Sequence, residues 1–220
     1  ELTEYFLAWD KHWIPKIFPE WYTDSKRSLA VKGTGEDFNK SMVEVYKNLT
    51  DHMDDDGYQV IYFTHQDTQV WADLTNILWT SGLQVSQAWC ISTETDTGGL
   101  KNGNYVKGTV VLVLRKQTGN EVIFEYEIND LVEDAVKDRI DQMKKVDFHA
   151  SFTDADYYLA AYAAALEVLT RYSKIEGIDV NYELTRVYGR GEKSKIAQVL
   201  DNSRSTVAGY LVPQDISPMW

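Results

Sequence analysis

Residues 58–64 (YQVIYFT) are a nearly continuous run of β-branched and aromatic side chains, and this run and the segments just after it leave few folds open. Such a run predicts a strand buried on both faces. Asp67 then offers an N-cap, and Val70, Trp71, Leu74, Ile77 and Leu78 mark the inward face of a helix that Gly82 is placed to stop. Two more strands are predicted over 83–92 and 106–115, with a flexible glycine- and asparagine-containing loop at 98–104 between them. Strand, helix, strand, loop, strand is an α/β pattern with a crossover helix, and its last two strands can pair antiparallel across the loop.

The flanking segments are more helical. Tyr5, Phe6, Trp9 and Trp13 recur at helical spacing until Pro15. Residues 24–35 read as a loop, and Phe38, Met42, Val45, Tyr46, Leu49 and Met53 form one helical stripe. The acidic run 54–56 opposes the dipole at that helix's C-terminus, so a solvated turn is predicted there. Beyond Gly119 a short strand is predicted within 121–127 and helices over 130–145, 154–173 and 193–211. The region 154–173 is rich in alanine and suits close packing. The division falls near residue 118, with an α/β stretch over 1–118 and a mostly helical extension over 119–220.

Composition narrows the function. Thirty-four acidic residues against 22 Lys and Arg give a net charge of -12, so contact with DNA must be confined to a patch or supplied elsewhere. The single cysteine, Cys90, rules out an internal disulfide and a multi-cysteine zinc site. No apolar run approaches the roughly 20 residues of a membrane span, and no signal-peptide pattern is present, so the expected location is the cytoplasm and no membrane partner is expected.

Ligands of open α/β sheets bind outside the carboxyl ends of the strands. The first predicted strand delivers His65 to that edge and the second delivers Thr93 and Glu94. These groups can share one rim as hydrogen-bonding or acid/base side chains, or they can simply cap loop ends. Arg186, Arg190, Lys193 and Lys195 form a locally basic stretch, either a phosphate-contacting patch or an ordinary solvated turn. His12, His52 and His149 lack metal-ligand spacing, and no metal site is expected.

Several segments, taken in order, resemble one family. Glu1-Leu2-Thr3-Glu4-Tyr5-Phe6 with Trp9, Phe63-Thr64-His65 with Trp71, Trp89 followed by Ile91-Ser92-Thr93-Glu94, and residues 110–116 (VVLVLRK) resemble the large bacterial and archaeal adenine-specific DNA methylases, the zinc-ribbon-containing amino-methyltransferases. Ala164-Ala165-Leu166-Glu167-Val168 with Arg171-Tyr172, and Tyr210-Leu211-Val212-Pro213, look like that family's C-terminal extension. The resemblance implies a partial Rossmann-like methyltransferase sheet of three to four strands, ending in an antiparallel hairpin. It also implies S-adenosylmethionine as methyl donor, DNA as partner and adenine-N6 as the methylated position, in a restriction-modification or phage-defence setting. His65, Thr93 and Glu94 would then line the pocket.

The family's Asp-Pro-Pro-Tyr motif and Gly-rich cofactor loop occur nowhere in this sequence. In the family both lie upstream of the segment matched here, so the resemblance implies a C-terminal portion that is inactive alone. An incomplete sheet would leave strand 58–64 at an open edge, to be covered by self-association or by the N-terminal helix. A non-catalytic interaction or regulatory module of related fold is the alternative, one that suits the acidic surface. An α/β hydrolase using His65 and Glu94 lacks the Gly-x-Ser-x-Gly elbow.

Overall fold

The structure is a computed structural model that describes residues 2–20, 30–33, 35–92, 108–146 and 152–211. Its centre is a three-stranded sheet of β1 (Gln59–Phe63), β2 (Leu83–Ser92) and β3 (Gly108–Lys116), in the order β1-β3-β2. β3 runs antiparallel to both neighbours, so β1 and β2 are parallel to each other with β3 inserted between them. Helix α4 (Thr68–Thr80) makes the crossover. The sequence signals for this unit act as expected. The Asp67 carboxylate accepts the Gln69 N–H at 2.8 Å, and Gly82, at φ +77°, turns the chain into β2.

The helices ahead of the sheet are α1 (Leu2–Asp10), the single turn α2 (Ile14–Ile17) and α3 (Glu36–Asp51). The acidic run after α3 is a turn, fastened to the end of β3 by Arg115 on the Asp56 carbonyl and Lys116 on the Asp55 carboxylate. After β3 come β4 (Val122–Phe124), α5 (Glu125–Val146), α6 (Asp154–Leu169), β5 (Lys174–Glu176), α7 (Val180–Thr185) and α8 (Lys195–Leu211). β4 and β5 pair in parallel as a separate two-stranded sheet, a pairing the sequence did not reveal because each strand has only three residues. α5 starts at Glu125, so the short strand predicted over 121–127 yields to helix after Phe124.

α6 is the buried axis. It packs on β2 and β3, on α5 and on α8, and Ala160, Ala161, Ala163, Ala164 and Ala165 lose essentially all contact with solvent. Small side chains let the sheet and two helices approach one axis together. One hydrophobic cluster runs from Leu83, Val110 and Leu112 in the sheet through Leu166 to Ile140 of α5 and Leu200 of α8, drawing on residues from both sides of position 118.

The predicted burial of residues 58–64 on both faces is corrected. Along β1, half-buried residues alternate with exposed ones: Ile61 and Phe63 face the helices, while Val60 is 43% and Tyr62 68% exposed. α4 and α6 cover one face of the sheet, and the opposite face carries the cross-strand row Tyr62–Val111–Trp89 toward solvent. β1 is an edge strand, and among the described residues no strand pairs with its outer side. α1 does not pack along it, and Tyr5, Phe6 and Trp9 of that helix are each more than half exposed, at 57%, 61% and 59%.

Candidate functional site

Because β1 and β2 are parallel, their carboxyl ends lie at the same edge of the sheet, together with the start of β3. Phe63 pairs with Val110, Ser92 pairs with Gly108, and the Thr64 hydroxyl donates to the Gly108 carbonyl at 3.3 Å. His65 therefore sits on the rim where the sequence places it. Thr93 and Glu94 lie outside the described residues.

His65 is held from two sides. Its Nδ1 accepts the Asp67 N–H at 3.0 Å, and its carbonyl accepts the Trp71 Nε1–H at 2.8 Å. Trp71 is itself fully buried, edge-on to Phe63 at 4.7 Å between ring centroids. An accepting Nδ1 puts the proton of the neutral imidazole on Nε2, which makes that nitrogen a donor.

Beside His65 is a cavity of 150 Å³ lined also by Gln66, Ala155, Tyr158, Tyr162 and Arg204. The Arg204 guanidinium stacks over the Tyr158 ring at 4.7 Å and lies beside the Tyr162 phenol. Burial raises the pKa of that phenol, and the Arg204 charge pulls against the rise. Sequence reasoning missed Arg204, Tyr158 and Tyr162. The aromatic stripe reads as core, and Arg204 is one polar residue on a long amphipathic helix. Only the packing of α6 and α8 against one another, with α4 alongside, brings them next to His65.

The same edge has a fully buried acid. Asp156 accepts the Thr153 N–H and the Thr153 hydroxyl, each at 2.8 Å, in a capping box at the start of α6. Its other oxygen accepts the Gly108 N–H at 2.7 Å. Cys90 lies alongside, and burial, helped by the Asp156 charge, pushes its thiol up to about 12. That thiol is inert at neutral pH. The Thr153-x-x-Asp156 spacing is a legible helix-start signal, but the bond to Gly108 is not.

The basic stretch is largely neutralised. Arg186 pairs with Glu192 at 3.3 Å, Lys193 with Asp201 at 2.5 Å and Lys195 with Glu125 at 2.6 Å. Arg190 is exposed in the turn between them. A cavity of 670 Å³ lies away from the rim, between Trp79 and Thr80 of α4 and the connection from β5 to α7. Its charged groups are already engaged, Lys174 with Glu176 of the same lining and Asp179 as the cap of α7. Among the described residues no group of three His, Cys, Asp or Glu is placed to hold a metal ion, and no helix is long and apolar enough to cross a membrane.

Among the described residues no glycine-rich loop follows a strand to hold S-adenosylmethionine. In an open α/β sheet a glycine-rich loop after a strand is what lets the backbone approach a nucleotide-like cofactor. Here the loop from β1 into α4 is Thr64-His65-Gln66 without glycine, and the Asp67 carboxylate already occupies the start of α4. Comparison with known proteins finds no matching family model, no matching curated protein and no matching solved structure.

Proposed function

We propose that this chain is the closing, C-terminal portion of an S-adenosylmethionine-dependent DNA adenine-N6 methyltransferase, with the donor-binding loop and the residues that grip the target amine supplied from outside this sequence. The strand order carries the assignment. Two parallel strands are joined by a crossover helix with a reversed strand between them, and an antiparallel ending of the sheet is what the resemblance implies. The resembling segments add to this, since His65 follows the first of those strands and Thr93-Glu94 follow the second.

In this assignment the chain supplies a wall of the target pocket. Amine methylation requires a flipped base held with its exocyclic nitrogen in line with the sulfonium methyl, which is mainly a matter of positioning. His65 is suited to it, with its ring fixed by Asp67 and its backbone fixed by Trp71. DNA is the partner, and the exposed edge of β1 and its apolar outer face are where a further strand, or a second copy of the chain, completes the sheet.

Calorimetry with S-adenosylmethionine tests the assignment. This chain is expected not to bind it, and a longer version extended upstream is expected to bind. Absence of binding in both overturns the assignment. In the longer enzyme, His65→Ala and Glu94→Ala should each slow methylation, and unchanged rates remove those residues from the pocket. A non-catalytic interaction module is the second reading. It is favoured by the net charge of -12 and by the carboxylates that neutralise Arg186, Lys193 and Lys195.

A further inference from the structure

We propose that the cavity between His65 and Arg204 is a phosphate-oxyanion subsite that takes a backbone phosphodiester of a nucleic-acid strand. The methyltransferase assignment supplies the strand as the source of the phosphate; the oxyanion chemistry stands on the cavity alone. The residues that line it carry donors: the Arg204 guanidinium, the His65 ring, whose Nε2 bears the proton when Nδ1 accepts, and the Tyr158 hydroxyl. A guanidinium fork with a neighbouring N–H and O–H matches a tetrahedral oxyanion. Among the described residues no carboxylate lines the cavity.

The nearby acids are already committed. Asp201 accepts the Thr68 hydroxyl and pairs with Lys193, and Asp67 caps α4. Asp154, at the start of α6, is exposed and stands outside the lining. Among the described residues Arg204 has no ion-pair partner, unlike Arg186, Lys193 and Lys195 of the basic stretch. In a chain with 12 excess negative charges, an arginine without an ion pair among the described residues, at a donor-bearing cavity on the strand-end rim, is where an anion gains most.

The geometry favours a phosphate over a base. The Tyr158 face that would stack a base is covered by the guanidinium.

The test monitors the His65 ring and Arg204 side-chain NMR signals of the full chain during titration with inorganic phosphate, with the dinucleotide d(TpT), and with d(TpT) carrying a neutral methylphosphonate linkage. Phosphate and d(TpT) should shift both signals saturably, and the neutral analogue should not. Arg204→Gln should weaken d(TpT) binding by about 10- to 100-fold, since a charge-assisted hydrogen bond is lost. Arg204→Lys should recover part of that loss, and Lys145→Gln, at an exposed position of α5, should behave as wild type. The proposal fails if the neutral analogue binds equally well, if Arg204→Gln binds normally, or if no saturable shift occurs. Binding of inorganic phosphate without d(TpT) overturns the nucleic-acid source. None of these readouts involves S-adenosylmethionine, so failure here is distinct from failure of the calorimetric test.

Discussion

Asp156, fully buried in the first turn of α6, accepts the Gly108 backbone N–H at 2.7 Å where β3 begins. At the other end of the same helix, the Thr170 hydroxyl accepts the Val85 N–H at 2.8 Å, beside the irregularity between Val85 and Gln87 in the β2–β3 pairing. A bulge leaves a strand N–H without its ladder partner, and Thr170 replaces that partner. The central helix is thus fastened to the sheet at both ends. The strand-end rim is tied to α6 through Asp156, and α6 also carries Tyr158 and Tyr162.

Replacing Asp156 with Ala removes three accepted hydrogen bonds at once and leaves the Gly108 N–H buried without a partner. The expected loss is about 3 kcal/mol in urea unfolding, against about 1 kcal/mol for Thr153→Ala, which removes only one donor. Equal losses in the two variants would mean that the bond to Gly108 contributes nothing.

Gly108 has no room for a side chain. An added Cβ would stand 2.8 Å from both the Asp156 Oδ1 and the Cys90 sulfur. Gly108→Ala should cost about 1–3 kcal/mol through overpacking, and the double variant with Cys90→Ala should regain part of it. Strict additivity in the double-mutant cycle would show that Cys90 does not share the space.

With its thiol pushed up to about 12, folded Cys90 should react with a disulfide reagent at pH 8 roughly a thousandfold more slowly than an ordinary accessible thiol. In the same way, stability should decline with rising pH. Between the ordinary thiol value of 9.0 and about 12 the unfolded chain releases a proton that the folded chain retains. The slope from this group is negative there, up to about 1.4 kcal/mol per pH unit, and flat below that window. Tyrosines also titrate at alkaline pH, so the measurement is the difference between wild type and Cys90→Ala. A difference that does not change from pH 8 to pH 11 contradicts the assignment.

The edge of β1 and the outward row Tyr62–Val111–Trp89 predict concentration-dependent self-association of the chain in sedimentation velocity. Tyr62→Lys places a charge on that row and should shift the distribution toward monomer without lowering thermal stability, because Tyr62 is 68% exposed. A wild-type chain that stays monomeric at every concentration would argue against the surface as an association site.

Local signals in the sequence settled much of this molecule. Asp67, Gly82, the apolar face around Trp71 and the run 83–92 have meanings that depend on chain stereochemistry and on hydrogen bonds a few residues away, so α4 and β2 lie where the pattern puts them. The Thr153-x-x-Asp156 box is of the same kind. Tertiary structure decided the rest. A strand apolar at nearly every position does not say how many of its faces are covered, and only the placement of α4 and α6 on one side leaves Val60 and Tyr62 in solvent. The order β1-β3-β2 and the meeting of His65 with Arg204, 139 positions away by their numbers, depend on contacts between distant segments whose energies no local window contains.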